Sequence, residues 1–211
     1  MFSFPSIQEL AINIPVFLLA LTIHEFAHGW VADWLGDRTA RLQGRLTLNP
    51  LAHLDPIGTL AIILIGFGWA KPVPVDYRYL RNPRRDMMII AISGPASNLL
   101  LAVAIMGVLQ LFPWHLVGAD AKWLVEPVSL MLRTGVWVNV VLAVFNLVPI
   151  PPLDGSRVVS GLLPLRQALV YDRLERYGFL IIFAFFYFHP TRSALNTVVR
   201  TIIVALLRMW G

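Results

Sequence analysis

His24-Glu25-Phe26-Ala27-His28 sets two imidazoles and a carboxylate inside an otherwise apolar stretch. On a helix, residues four apart share one face, so His24 and His28 can aim at a single ion. Glu25 lies beside the first histidine, where it can reach a metal-bound water without ligating the metal. Two imidazole ligands with a neighbouring general base are the parts from which a zinc hydrolase makes a nucleophile out of water. The other residues between positions 14 and 30 are Ile, Pro, Val, Phe, Leu, Ala, Thr, Gly and Trp. Ionisable side chains in such a setting are costly and mark function.

A catalytic zinc needs a third protein ligand and an open position. With no cysteine in the chain, disulfides, thiolate ligands and a cysteine nucleophile are excluded, so the third ligand must be His or a carboxylate. Asp154 is the best candidate. It follows an apolar run that must stop being helical at Pro149, Pro151 and Pro152, because proline removes donors and disfavours the helical region before it. Irregular backbone at membrane depth survives only where protein buries it or it lines a wet cavity. A carboxylate there, followed by flexible Gly155, suits ligation; the competing role is capping a helix that begins at Ser156. Asn146, just before the break, could hold a substrate carbonyl or a developing oxyanion, where one donor is worth about 3 kcal/mol. It could equally satisfy carbonyls freed by the prolines.

The elements that carry these residues are membrane segments. A mean hydropathy of +0.70, 57% hydrophobic and only 14% charged residues lie outside the range of soluble domains. At about 20 residues per span, the chain has room for one all-α polytopic domain, residues 1–211, with five or six membrane segments. The first span is expected at Ile7–Leu35, ending at Gly36-Asp37 and retained rather than cleaved, since no Lys or Arg precedes Arg38. Arg38, Arg41 and Arg45 mark the cytoplasmic side, leaving the N-terminus extracytoplasmic. The stretch 57–70 is short, glycine-bearing and flanked by basic loops on both sides, so it is expected to be re-entrant, part helix and part strand. Its continuation, 63–75, is expected to offer a strand edge to an extended substrate or to form an interfacial loop anchored by Trp69. Spans follow at 87–112 and 128–148, with a final hairpin from 177–188 and 194–209 turning at His189-Pro190. The net charge of +5 sits between apolar runs, so it reads as topology and anionic headgroups, not nucleic acid.

His24-Glu25-x-x-His28 in a first span, with Asn146-x-x-Pro149-x-x-Pro152-x-Asp154-Gly155 after a later one, resembles the site-2 protease family of intramembrane zinc metalloproteases. The likeness runs from the first span to about Arg157, and Gly94-Pro95-Ala96-Ser97-Asn98 is similar to that family's glycine-and-asparagine segment. It implies that His24, His28 and Asp154 ligate one Zn2+, that Glu25 activates the water, that Asn146 helps hold substrate, and that the chemistry lies near the cytoplasmic side. It also implies a compact form, because the chain leaves no room for a PDZ or CBS module.

The expected activity is hydrolysis of peptide bonds within or beside a transmembrane segment of a protein substrate, in a prokaryotic plasma or inner membrane. A metal transporter or sensor could use the same His and Asp residues, but has no need of Glu25. A membrane-anchored peptidase acting on soluble peptides would share the site. An aspartyl protease would need a second carboxylate facing Asp154, and none is evident. His53 reads as the fixing residue of a proline-bounded turn, or else as an extra ligand or path-lining group. His115 and His189 carry no assigned role, and Ser93, Gly94, Ala96 and Ser97 read as helix-packing residues.

Overall fold

A computed structural model of the chain describes residues 6–58, 70–114 and 117–210. Among the described residues three helices are long and apolar enough to cross a membrane: α1 (Ile7–Leu35), α3 (Pro83–Leu111) and α4 (Lys122–Asn146). The short α2 (Thr39–Leu42) follows α1; α5 (Asp154–Leu162), α6 (Leu165–Asp172), α7 (Gly178–Tyr187) and α8 (His189–Trp210) complete the chain.

Local chemistry fixes where α1 begins and ends. Ser6 accepts from the Glu9 N–H while Glu9 accepts from the Ser6 N–H at 2.7 Å, a reciprocal cap that satisfies two orphan donors. At the other end Gly36 takes φ 117°, a left-handed value that a side chain would resist. Buried positions on α1 include Val16, Ala20, His24, His28 and Ala32, a four-residue repeat that makes one inward stripe. On α3 the stripe is Asp86, Ile90, Gly94, Asn98, Ala102 and Met106. These two helices pack on each other and on α4. Small residues in the stripes, Ala20, Gly94, Ala102 and Ala143 among them, permit the close approach that replaces hydrophobic driving force within lipid. Val199 and Leu206 of α8 close an apolar cluster with Ala102, Met106, Val136 and Val140.

The count of five or six membrane segments is not what these residues form. Among those described there are three spanning helices, or four if Leu165–Phe185 and His189–Met209, bent by 84°, act as one broken span. The reason lies in the last third. The ten residues of α7 reach only about 15 Å, half of a hydrocarbon core of roughly 30 Å, and α8 carries Arg192, Arg200 and Arg208. Pro190 lies in the first turn of α8, where its missing N–H costs nothing. The expected re-entrant element falls mostly on residues 59–69, outside the described residues. At its edges Leu54 and Ala70 form an isolated antiparallel bridge, and no strand occurs among the described residues.

The break after α4 is clasped from several sides. Tyr171 donates its hydroxyl to the Pro149 carbonyl at 2.8 Å. A Cβ on Gly155 would lie 2.7 Å from the Val148 carbonyl oxygen, so only glycine lets α5 tuck beneath the end of α4. Arg84 of α3 donates to the carbonyls of Ser160, Gly161 and Leu163. That guanidinium satisfies carbonyls left over at the end of α5 and ties it to α3, with Asp154 held at the opposite end.

Candidate metal centre

His24 Nε2, His28 Nε2 and Asp154 Oδ2 converge although 130 residues separate the first from the last. The two nitrogens are 3.0 Å apart, and the carboxylate oxygen lies 3.1 Å from His24 and 3.3 Å from His28. Among the described residues this is the group whose ligand atoms could hold a metal. All three side chains sit in the interior; His24 is 5% exposed and His28 9%.

Hydrogen bonding behind the imidazoles dictates their tautomers. Asn139 Nδ2 donates to the Gly135 carbonyl at 2.8 Å, which turns its Oδ1 toward Asn98. Asn98 Nδ2 donates to that oxygen at 2.8 Å and to the Ala20 carbonyl at 3.0 Å. Asn98 Oδ1 is therefore left to accept from His24 Nδ1–H at 2.6 Å. His28 Nδ1–H donates to the Ile90 carbonyl at 2.7 Å. With both Nδ1 atoms protonated, neutral imidazoles turn bare Nε2 lone pairs toward each other and toward Asp154 Oδ2, which is buried without a hydrogen-bond partner.

Three acceptors and no donor make a repulsive arrangement unless a cation stands between them. A tetrahedral ion with bonds near 2.0 Å has ligand–ligand edges of about 3.3 Å, close to the triangle formed here. The residues fit such an ion, with both histidines oriented as metal ligands usually are, through the other ring nitrogen.

Glu25, 9% exposed, does not join the triangle. Its Oε2 accepts from the Val73 N–H at 2.8 Å, which fixes the carboxylate beside the imidazoles. Together these residues line a cavity of about 510 Å³ whose apolar wall includes Phe17, Leu21, Leu142 and Phe145. Gly94 packs directly against the imidazoles. A Cβ there would stand 2.7 Å from His24 Cε1 and closer still to the His28 ring.

The remaining sequence candidates sort as follows. The alternative role for Asp154 drops away, since α5 begins at Asp154, its N-cap is Leu153 and no side chain caps it. Asn146 lines the cavity while its amide donates to the Leu142 carbonyl at 2.9 Å, the bond expected of a residue repairing a broken helix. His53 is buried and its Nε2–H donates to the Thr47 carbonyl at 2.9 Å, so it fixes its own turn and stands apart from the centre. His189 is exposed and His115 lies outside the described residues. Ser93 and Ser97 donate to the Ile90 and Gly94 carbonyls within their own helix.

Sequence reasoning gave no role to Asn139, to the Ile90 carbonyl or to the Val73 N–H, and named Asn98 only within a resembling segment. The available signal was an amide in the middle of each of two apolar runs, at 98 and 139, where an unpaired polar group would be expensive.

The sequence model of peptidase family M50 matches residues 12–126 and 119–189. A Bacillus subtilis (strain 168) protein named "Putative zinc metalloprotease YwhC" is 42% identical over 172 residues, covering 80% of this chain and 77% of that protein. Rip2 of Mycolicibacterium smegmatis, given the same description, is 30% identical over 174 residues, 78% of this chain and 62% of its own length. Rip2 of Mycobacterium tuberculosis (H37Rv) is 29% identical over 148 residues. The chain spans 52% of that protein, so both Rip2 proteins extend well beyond the matched part. No solved structure gives a significant match.

Proposed function

The chain belongs to peptidase family M50, and on that premise we propose that it is an integral membrane zinc metalloprotease that hydrolyses peptide bonds within or beside transmembrane segments. The observation that carries the reading is the convergence of His24, His28 and Asp154 on one point among helices long and apolar enough to span a bilayer, with Glu25 alongside. His24, His28 and Asp154 hold one Zn2+. When bound, zinc polarises a carbonyl and makes water acidic enough to attack near neutral pH.

Glu25 takes a proton from the attacking water and returns it to the leaving amine. Its anchoring on the Val73 N–H holds the carboxylate beside the three residues that would hold the metal. Asn98, Asn139 and the Ile90 carbonyl hold the imidazoles in the ligating tautomer. Asn146 lines the cavity at the proline break and offers its remaining amide capacity to the substrate backbone. The apolar cavity wall takes side chains of the kind that fill a transmembrane segment, after local unwinding exposes the scissile carbonyl. Arg157, one turn past Asp154, lines the same cavity, and Arg84 ties the start of α3 to the helix that carries Asp154, which supports a cytoplasm-proximal site with the N-terminus outside.

The test uses the purified, zinc-loaded protein in lipid nanodiscs with a lysine-flanked transmembrane peptide containing a central Gly-Pro break. Cleavage is expected, and Glu25→Gln should retain about one zinc per chain while losing at least 100-fold in kcat. Cleavage confined to a soluble unfolded chain would replace this reading with a membrane-anchored peptidase. Undiminished turnover by Glu25→Gln would remove the role of the base.

A further inference from the structure

The segment 70–76 is bound to α1 and its C-terminal turn through Glu25, Gly29 and Asp37, and to the chain beyond α2 through Arg45 and His53. Val73 N–H reaches Glu25, and the Val73 side chain seats over Gly29, where an added Cβ would stand 3.0 Å from Val73 Cγ1. Asp76 N–H donates to Asp37 Oδ2 at 2.7 Å. Arg45 Nη2 donates to the Lys71 and Pro72 carbonyls at 2.9 and 3.2 Å. Lys71 N–H donates to the His53 carbonyl at 2.9 Å, and Pro72 and Pro74 have no N–H to offer. The backbone donors of residues 71, 73 and 76 are thus committed within the protein. The expected strand edge does not extend through this stretch as a row of free donors; it is a strap.

Asp37 is the unusual anchor. Its carboxylate is completely buried and has no cationic partner among the described residues. It stands just beyond the C-terminus of α1, the end of a helix that disfavours negative charge. It accepts from the Thr39 N–H at 2.9 Å, from the Thr39 hydroxyl at 2.5 Å and from Asp76. Two of these bonds orient the carboxylate, and the third is the only one that leaves its own turn. A buried anion is expensive to keep, and what this one fastens is the segment that holds the base.

We propose that Asp37 is a positioning residue for Glu25, acting through the 70–76 strap with Arg45 as its second anchor. Three residues of extended chain, about 10 Å, separate the Asp76 N–H from the Val73 N–H, so slack at one end reaches the other. The proposal rests on Glu25 being the general base. Loss of the anchor should therefore lower turnover without changing how the imidazoles hold zinc.

The experiment compares wild type, Asp37→Asn and Asp37→Ala as full-length, zinc-loaded protein in nanodiscs. Asn retains one acceptor oxygen, so kcat should rank wild type above Asn above Ala, with Ala down about 10- to 100-fold. The loss should fall more heavily on kcat than on KM, because the strap also lines the cavity, and zinc stoichiometry should be unchanged. Hydrogen exchange of the peptide covering 70–77 should quicken about tenfold or more in Asp37→Asn, including the Val73 amide. Unchanged kcat beside a cleaving wild type would overturn the proposal, as would unchanged exchange of that peptide. A wild type that cleaves nothing would sink the proposed function, while the exchange measurement would still decide whether Asp37 holds the strap. Should Asp37→Ala fail to fold, Asp37→Asn alone carries both readouts.

Discussion

Replacing Gly94 by alanine adds one methyl group where the structure leaves no room for it. The new Cβ would stand 2.7 Å from His24 Cε1 and nearer to the His28 ring, whereas carbon atoms in contact sit about 3.5–4.0 Å apart. Either α3 withdraws or both imidazoles retreat by roughly 1 Å. Retreat stretches His24–Asn98 from 2.6 Å and His28–Ile90 from 2.7 Å to about 3.6 Å, past the limit of a hydrogen bond. Supporting bonds of this kind are each worth about 10- to 100-fold in metal affinity. Losing both predicts zinc binding weakened by about 10² to 10⁴, or roughly 3–5.5 kcal/mol. Competition with a chromophoric chelator measures this on purified protein. Gly135→Ala is the control, because its Cβ would meet the flexible tip of Ile105 at 3.1 Å, away from the imidazoles. Zinc affinity of Gly94→Ala within about threefold of wild type would refute the idea that close approach of α3 sets the ligand geometry.

Asp154→Ala should drop zinc content well below one per chain, and chelation of the wild type should lower its melting midpoint by about 5–10 °C, since a ligand at 100 times its Kd stabilises by about 2.7 kcal/mol. That chelator-sensitive shift should vanish in Asp154→Ala; a retained shift would place the metal elsewhere. Asn98→Leu should weaken zinc binding about 10- to 100-fold and cost about 1–3 kcal/mol of stability, because it strands His24 Nδ1–H, the Ala20 carbonyl and Asn139 Oδ1 together. Chelator competition and denaturant unfolding read the two effects, and unchanged metal affinity would show that the amide ladder does not orient His24.

Much of this arrangement is local and therefore legible in the chain. Four-residue spacing puts His24 and His28 on one face of any helix, whatever surrounds it. The end of the first span was legible in Gly36-Asp37, a turn signal that acts within a few residues. Three prolines within four residues announced the break at 149–152 because together they remove donors and disfavour helix before them, whereas the isolated Pro15, Pro95 and Pro127 are each carried inside a helix. The C-terminal third was harder, since its apolar stretches are short and interrupted by arginines, and local hydropathy does not say whether such pieces cross or lie against the bundle.

What the sequence alone determined is the chemistry on offer: acceptor types, their spacing along single elements, and an apolar medium that makes each ionisable group expensive. Tertiary structure decided which distant groups meet. The tautomer of His24 follows from amides 74 and 115 positions away, on two other helices. The hold on Glu25 comes from a backbone N–H, which every residue but proline carries, so no side-chain pattern could point to Val73. Asp37 looked like the residue after a helix-ending glycine until packing set Asp76 against it. Side-chain identity is written in one dimension, whereas the partner that completes a buried hydrogen bond is chosen only when helices come together in three.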